Sequence, residues 1–151
     1  MKIRCQENLV SRKSSVNNSG VNQMERWFLG GAGFLGALAV AAGAFGSHVL
    51  AEKLSDRALA IFETAARYQL IHALLLGLVA VAMGTMPKPV APSLPIAGVA
   101  ALLGMVLFSG SLYALSFGAP KILGVITPIG GVGLIVSWLA FGLAAFQGAK
   151  P

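Results

Sequence analysis

The stretch Tyr68–Met86, YQLIHALLLGLVAVAMGTM, decides the architecture. It contains no Asp, Glu, Lys or Arg, and its 19 residues approach the ~20 that a helix needs to cross ~30 Å of hydrocarbon. A transmembrane strand would be shorter and would alternate polar with apolar residues, whereas LLLGLVAVAMG does not alternate, so a helix is the only spanning structure left. Arg67 bounds the stretch on one side and Pro87-Lys88-Pro89 on the other. Further charge-free runs lie on either side of it, at 27–51, 89–120 and 122–149. The sequence therefore predicts an all-α integral membrane protein, a bundle of four transmembrane helices near 27–47, 68–86, 94–117 and 122–146 joined by short loops.

Composition supports the same class. Of the 151 residues, 56% are hydrophobic and only 11% charged, and the mean hydropathy is +0.79. A soluble domain carries about a quarter charged residues, and a chain this short cannot hide so much apolar surface in one water-soluble core. Five acids, two histidines and one cysteine leave few ways to assemble a catalytic constellation, so no enzyme is expected. A single cysteine excludes an internal disulfide or a multi-cysteine metal site, and no cofactor is expected. The net charge of +6 is spread along the membrane edges. That pattern speaks against nucleic acid and for anionic membrane lipids as the counter-charge.

The links between spans are punctuated. Pro87, Pro89, Pro92 and Pro95 end the second span and open the third. Gly118-Ala119-Pro120-Lys121 is a turn that forces an antiparallel hairpin. Ser55 and Asp56 are suited to cap and to favour a helix N-terminus, so the second helix is expected to start outside the bilayer and run through Glu63 and Arg67 into its span. Glu63 and Arg67 stand four apart in the order that favours an ion pair. Residues 1–23 are polar and rich in Ser and Asn, which predicts a disordered tail ahead of the membrane domain at 24–149. Met24-Glu25-Arg26-Trp27 reads as a natural beginning for a small membrane protein, making Met24 a candidate start. With the tail, seven Lys and Arg fall on the side of both termini and four on the other, which favours cytoplasmic termini. Without it the count is three against four.

Helices associate in lipid through small residues that let backbones approach. Gly33, Ala37 and Ala41, with Ala32, Gly36, Val40 and Ala44 alongside, form such a ladder on helix one; Gly133, Ser137, Ala140, Ala144 and Gly148 form one on helix four. Polar residues inside spans are the pointers to function, because hydrocarbon penalises them unless they are partnered. His72 is the clearest, with Tyr68 on the same side and Gln69 partly round the helix. His48 ends helix one on the same membrane side, and two histidines at similar depth would suit a haem iron or a proton relay. A second group comprises Ser111 and Tyr113 in helix three with Thr127 and Pro128 in helix four, where Pro128 is expected to kink or unwind the helix. Trp138 lies too deep for an interfacial belt and needs a partner for its N–H.

Four ordered motifs, Gly43-Ala44-Phe45-Gly46-Ser47-His48, Phe62 to Ala73, Phe108 to Tyr113, and Thr127 to Gly131 with Trp138, resemble the small inner-membrane family known as domain of unknown function 423, the YgdD-like proteins. The likeness covers about residues 24–147. Ser47 and Ser137 depart from the Ala and Gly usual at those places. The resemblance implies a four-span protein of the inner membrane, suggests that the segment before Met24 is extra, and brings no activity or cofactor. The sequence favours a structural or accessory protein that acts through helix–helix contacts, as a homo-oligomer or with a membrane-protein partner. The alternatives are a small oligomeric transporter with His72, Tyr68, Ser111 and Thr127 along its path, or a haem or quinone protein.

Overall fold

The computed structural model describes the backbone of residues 2–86 and 90–147. Four helices carry the chain: α1 Lys2–Phe45, α2 Asp56–Thr85, α3 Ser93–Ser116 and α4 Ile126–Gln147. α1 ends in a π-helical turn at Gly46–Leu50, and a 3-10 turn at Lys121–Val125 leads into α4. Four helical segments are long and apolar enough to cross a membrane, namely Gln23–Leu50, Asp56–Thr85, Ser93–Ser116 and Lys121–Gln147. Each matches a predicted span.

Local chemistry explains the ends. Ser55 takes extended backbone angles and its side chain accepts from the Ala58 N–H at 3.4 Å, with Asp56 in the first turn, so α2 begins well before its apolar stretch. Pro92 precedes α3 and Pro95 lies in its first turn, where the missing N–H costs no ladder bond. α3 stops at Gly118, whose φ of +84° suits the left-handed position after a helix, and the Ala119 N–H closes on the Ala114 carbonyl at 3.1 Å.

One expectation is corrected, and a second takes a particular form. Residues 2–23, read as a disordered tail, continue α1 as helix from Lys2. The segment holds no proline and one glycine, and the span supplies an already formed helix end onto which each further residue adds without a new nucleation cost. Pro128, expected to kink or unwind its helix, goes with unwinding: the predicted fourth span opens in a 3-10 turn at Lys121–Val125, across Gly124, and turns α-helical only at Ile126. The 3-10 turn precedes it, and Pro128 sits in the first turn of α4, where it leaves no carbonyl unpaired inside the helix.

Neighbours in sequence pack as antiparallel hairpins, α1 on α2, α2 on α3 and α3 on α4, while α2 and α4 barely touch. The result is an open array with α2 and α3 in the middle. Its core is Phe28 with Leu75, Leu76, Val79, Met83 and Leu94. The α3–α4 seam is the closest. Gly133 brings Gly104 Cα to 3.2 Å from where a Cβ would stand, and a Cβ at Gly130 would fall on the backbone of Phe108. At Gly98 a Cβ would fall on the Phe28 ring, which reaches across from α1.

The small-residue ladders divide. On α4, Ser137, Ala140 and Ala144 are buried as expected, and Gly148 lies outside the described residues, as do Lys88 and Lys150. On α1 the face toward α2 is Phe28, Ala32, Gly36 and Ala39, whereas Gly33, Ala37, Ala41 and Ala44 point outward. A Gly130→Ala variant should lose about 1–3 kcal/mol of stability through overpacking against α3. Gly110→Ala, with nothing within 4 Å of the new methyl, should lose none. Unfolding of both variants in mixed detergent micelles checks the contrast.

Candidate functional site

Six of the predicted polar residues, Gln69, Tyr113, His72, Trp138, Ser111 and Thr127, fall into three separate ties. The first centres on Gln69, which is buried in α2. Its amide nitrogen donates to the Leu35 carbonyl of α1 at 2.8 Å, and its oxygen accepts from the Tyr113 hydroxyl of α3 at 3.0 Å. One side chain thus holds three helices together. A carbonyl inside α1 can take this extra bond because its second lone pair is free of the helix ladder.

The second tie joins α2 to α4. His72 Nδ1 lies 2.8 Å from the Tyr68 carbonyl, and the Trp138 indole N–H donates to His72 Nε2 at 3.2 Å. A carbonyl only accepts and an indole N–H only donates, so Nδ1 carries the proton and Nε2 the lone pair. The imidazole is neutral and both nitrogens are engaged. Its ring lies nearly parallel to Tyr68, at 6.0 Å and 14°, and Tyr68 packs on Phe108 at 4.8 Å.

The third tie is the bond between the Ser111 and Thr127 hydroxyls at 2.8 Å, linking α3 to the first turn of α4. Ser111 also donates locally to the Phe108 carbonyl at 2.9 Å, so the two contacts share one hydroxyl proton or Thr127 is the donor to Ser111.

Between α2 and α4 the loose packing leaves a cavity of about 490 Å³, floored by Phe108 and Leu134, walled by Tyr68 and His72 on one side and by Ile135 and Trp138 on the other. Pro128 lies at its rim, the one role the structure gives this residue in the candidate group. The cavity is open laterally: Tyr68, Ile135 and Trp138 are exposed at its mouth.

Other predicted groupings do not form. His48 sits exposed in the π-helical turn that ends α1, while His72 lies 16 residues into α2, about 24 Å along the helix axis, so the two do not pair. Among the described residues no group of three His, Cys, Asp or Glu side chains meets. Glu63 and Arg67 are both exposed and form no ion pair among the described residues. Tyr68 and His72 border the lateral cavity while Ser111 and Thr127 close on each other in the α3–α4 seam, so these four do not line one path.

Several ties escaped the sequence reading. Ser137, noted there only as a ladder residue and a departure from the usual Gly, donates to the Ala97 carbonyl at 2.8 Å and is fully buried. The Gln147 side chain accepts from the Ser93 N–H at 3.2 Å, fastening the end of α4 to the start of α3. Phe62 packs on Tyr113 at 4.9 Å and on Phe117 at 5.8 Å, and the π-helical turn seats Gly46 against its ring. A polar residue at the end of an otherwise apolar helix was the available signal for Gln147. Phe62 carried none that distinguished it from any apolar residue. Ser109, 2% exposed, keeps a hydroxyl without a partner among the described residues.

If the Gln69–Tyr113 bond holds α2 to α3, a double-mutant cycle of Gln69→Leu and Tyr113→Phe should give a coupling energy of about 0.6–1.7 kcal/mol, the range for interhelical bonds in lipid. Additive losses in mixed-micelle unfolding would show the bond to be energetically silent.

Comparison with known proteins agrees with this architecture. The model for a family described as a protein of unknown function, DUF423, matches residues 42–131. A UPF0382 membrane protein of Staphylococcus epidermidis is 44% identical over 117 residues, 75% of this chain and 93% of that protein. The UPF0382 membrane protein YwdK of Bacillus subtilis is 45% identical over 110 residues, covering 73% and 88%, respectively. A UPF0382 membrane protein of Haemophilus influenzae is 36% identical over 112 residues, 74% of this chain and 87% of that protein. No solved structure matches. A four-span helical membrane protein with this order of motifs, matched along most of its membrane domain by such relatives, belongs to the DUF423 family of membrane proteins of unknown function.

Proposed function

We propose that this integral membrane protein is a structural or accessory subunit that works through helix–helix contact and catalyses no reaction of its own. One observation carries the reading: α1, an edge helix of the open array, turns Gly33, Ala37, Ala41 and Ala44 outward, and a Cβ at Gly33 would meet nothing within 4 Å. Small residues at fourfold spacing allow a second helix to approach closely, which is how association proceeds where lipid supplies no hydrophobic drive. The interior gives support of another kind. Gln69, His72, Ser111, Tyr113, Thr127 and Trp138 are engaged in ties between or within helices, and the acids Glu52, Asp56 and Glu63 stand at the exposed end of the molecule.

Replacing Gly33 and Ala37 by Leu should abolish association while leaving the monomer's unfolding unchanged, since neither side chain faces α2. Native mass spectrometry after mild extraction reads the outcome. A partner at fixed stoichiometry that survives both substitutions would refute the α1 contact.

The same reading places the protein in the cell membrane, the inner membrane where there are two, with both termini cytoplasmic and anionic lipid opposite its basic residues. The distribution of Lys and Arg over the full chain supports this, as does the likeness to relatives named membrane proteins. In a Cys5→Ser background, a cysteine at Lys53 should then react with an impermeant maleimide added to intact cells, and one at Arg26 should not. The reverse labelling would invert the topology.

A further inference from the structure

The lateral cavity between α2 and α4 has a character that the contact face on α1 lacks. It is lined by four rings, Tyr68, His72, Phe108 and Trp138, and apolar side chains complete it. α3 packs on both α2 and α4, while these two barely touch, so α3 forms its floor and its mouth faces the bilayer. Entry is from the lipid. Any occupant is therefore membrane-soluble, and the rings around it favour a flat body that stacks or meets them edge-on.

The polar groups narrow the choice. Tyr68 donates to no group among the described residues, and its hydroxyl sits on a residue only one position beyond the charged end of α2. Tyr68 is 40% exposed at the cavity mouth, so its phenol is a free donor there that an acceptor oxygen on the occupant can take. The Trp138 N–H is already given to His72 Nε2 at 3.2 Å, so its indole offers the cavity a ring face and Tyr68 offers the donor. An acyl chain would offer that donor nothing, whereas a ring bearing a carbonyl oxygen matches both the shape and the donor.

We infer that the α2–α4 cavity, through Tyr68, His72, Phe108 and Trp138, binds the carbonyl-bearing ring of a membrane-soluble quinone. The ring enters from the bilayer between Ile71 and Ile135, lies against Phe108, and accepts from the Tyr68 hydroxyl while its tail stays in the lipid. Binding alone is inferred, independently of the α1 contact face.

The test uses the full chain in detergent with Trp27 replaced by Phe, so that Trp138 is the only indole, and follows its fluorescence on titration with decylubiquinone. Saturable quenching is expected. Tyr68→Phe should weaken the apparent affinity about three- to tenfold, the worth of one hydrogen bond. The double variant Val132→Phe and Ile135→Phe should abolish saturation, and because both residues are 60% exposed its elution and helical content should match the parent. Quenching that rises without saturation, or that is unchanged in the double variant, overturns the inference. A brominated-acyl phospholipid that quenches to saturation and is not displaced by decylubiquinone would overturn it too, and would make the cavity a seat for a lipid chain.

Discussion

Close approach of the α3 and α4 backbones is the constraint from which the rest of the arrangement follows. In hydrocarbon, side chains gain nothing by leaving lipid for protein, so two helices stay together only where dispersion contacts and hydrogen bonds outnumber those that lipid offers. Gly130 against the Phe108 backbone and Gly133 against Gly104 supply that contact. With the backbones this near, Ser137 reaches the Ala97 carbonyl and Ser111 reaches Thr127. The same seam draws α4 toward α3 and away from α2, which is why a cavity opens between α2 and α4 and why only the long side chain of Trp138 spans it to His72.

α2 is held by different means. Small residues meet on its α1 side, Ala73 against Gly36 and Gly77 against Ala32, and large ones, Leu75, Leu76, Val79 and Met83, fill the rest of its core. Longer side chains add further ties. Gln69 bonds to α1 and α3, and Phe62 wedges between Tyr113, Phe117 and the π-helical turn of α1. That turn carries one residue more per hydrogen bond than an α-helix, and so widens the end of α1 where it passes over Phe62. Each polar tie also fixes register, because sliding by a residue would leave a donor or a carbonyl stranded in hydrocarbon.

Much of the fold was legible in the sequence because charge is expelled from hydrocarbon. The charge-free runs set the spans, Ser55 and Asp56 the early start of α2, and Gly118 the last turn. What sequence could not supply was facing. In helices that are apolar all round no polar side marks the outside, so the outward stripe of Gly33, Ala37 and Ala41 reads the same as the inward stripe of Ala32 and Gly36. The candidate residues Gln69, His72, Ser111, Tyr113, Thr127 and Trp138 were legible as polar side chains in need of partners; who pairs with whom depends on axial offsets between helices, which no spacing within a helix encodes. His48 and His72 fail to meet for a reason the sequence did contain, the early start of α2 at Asp56. α2 starts 12 residues before Tyr68, which carries His72 far from the turn that holds His48.

An open array has two free edges, and their shapes differ because the sequences beneath them differ. α1 leaves a stripe of small residues, Gly33, Ala37, Ala41 and Ala44, between the exposed side chains of Phe34, Leu38 and Val40, and a second helix laid along it would meet the stripe and pack against those side chains. The gap beside α4 is concave, ringed and furnished with a donor at Tyr68. A helix would be too wide to enter it, since helices pack with axes 8–10 Å apart even when small residues line the contact. A single ring of a few ångströms' thickness enters without moving either wall. The glycine seam that closes α3 on α4 is thus also what divides the surface of this protein into a face for a helix and a slot for a small molecule.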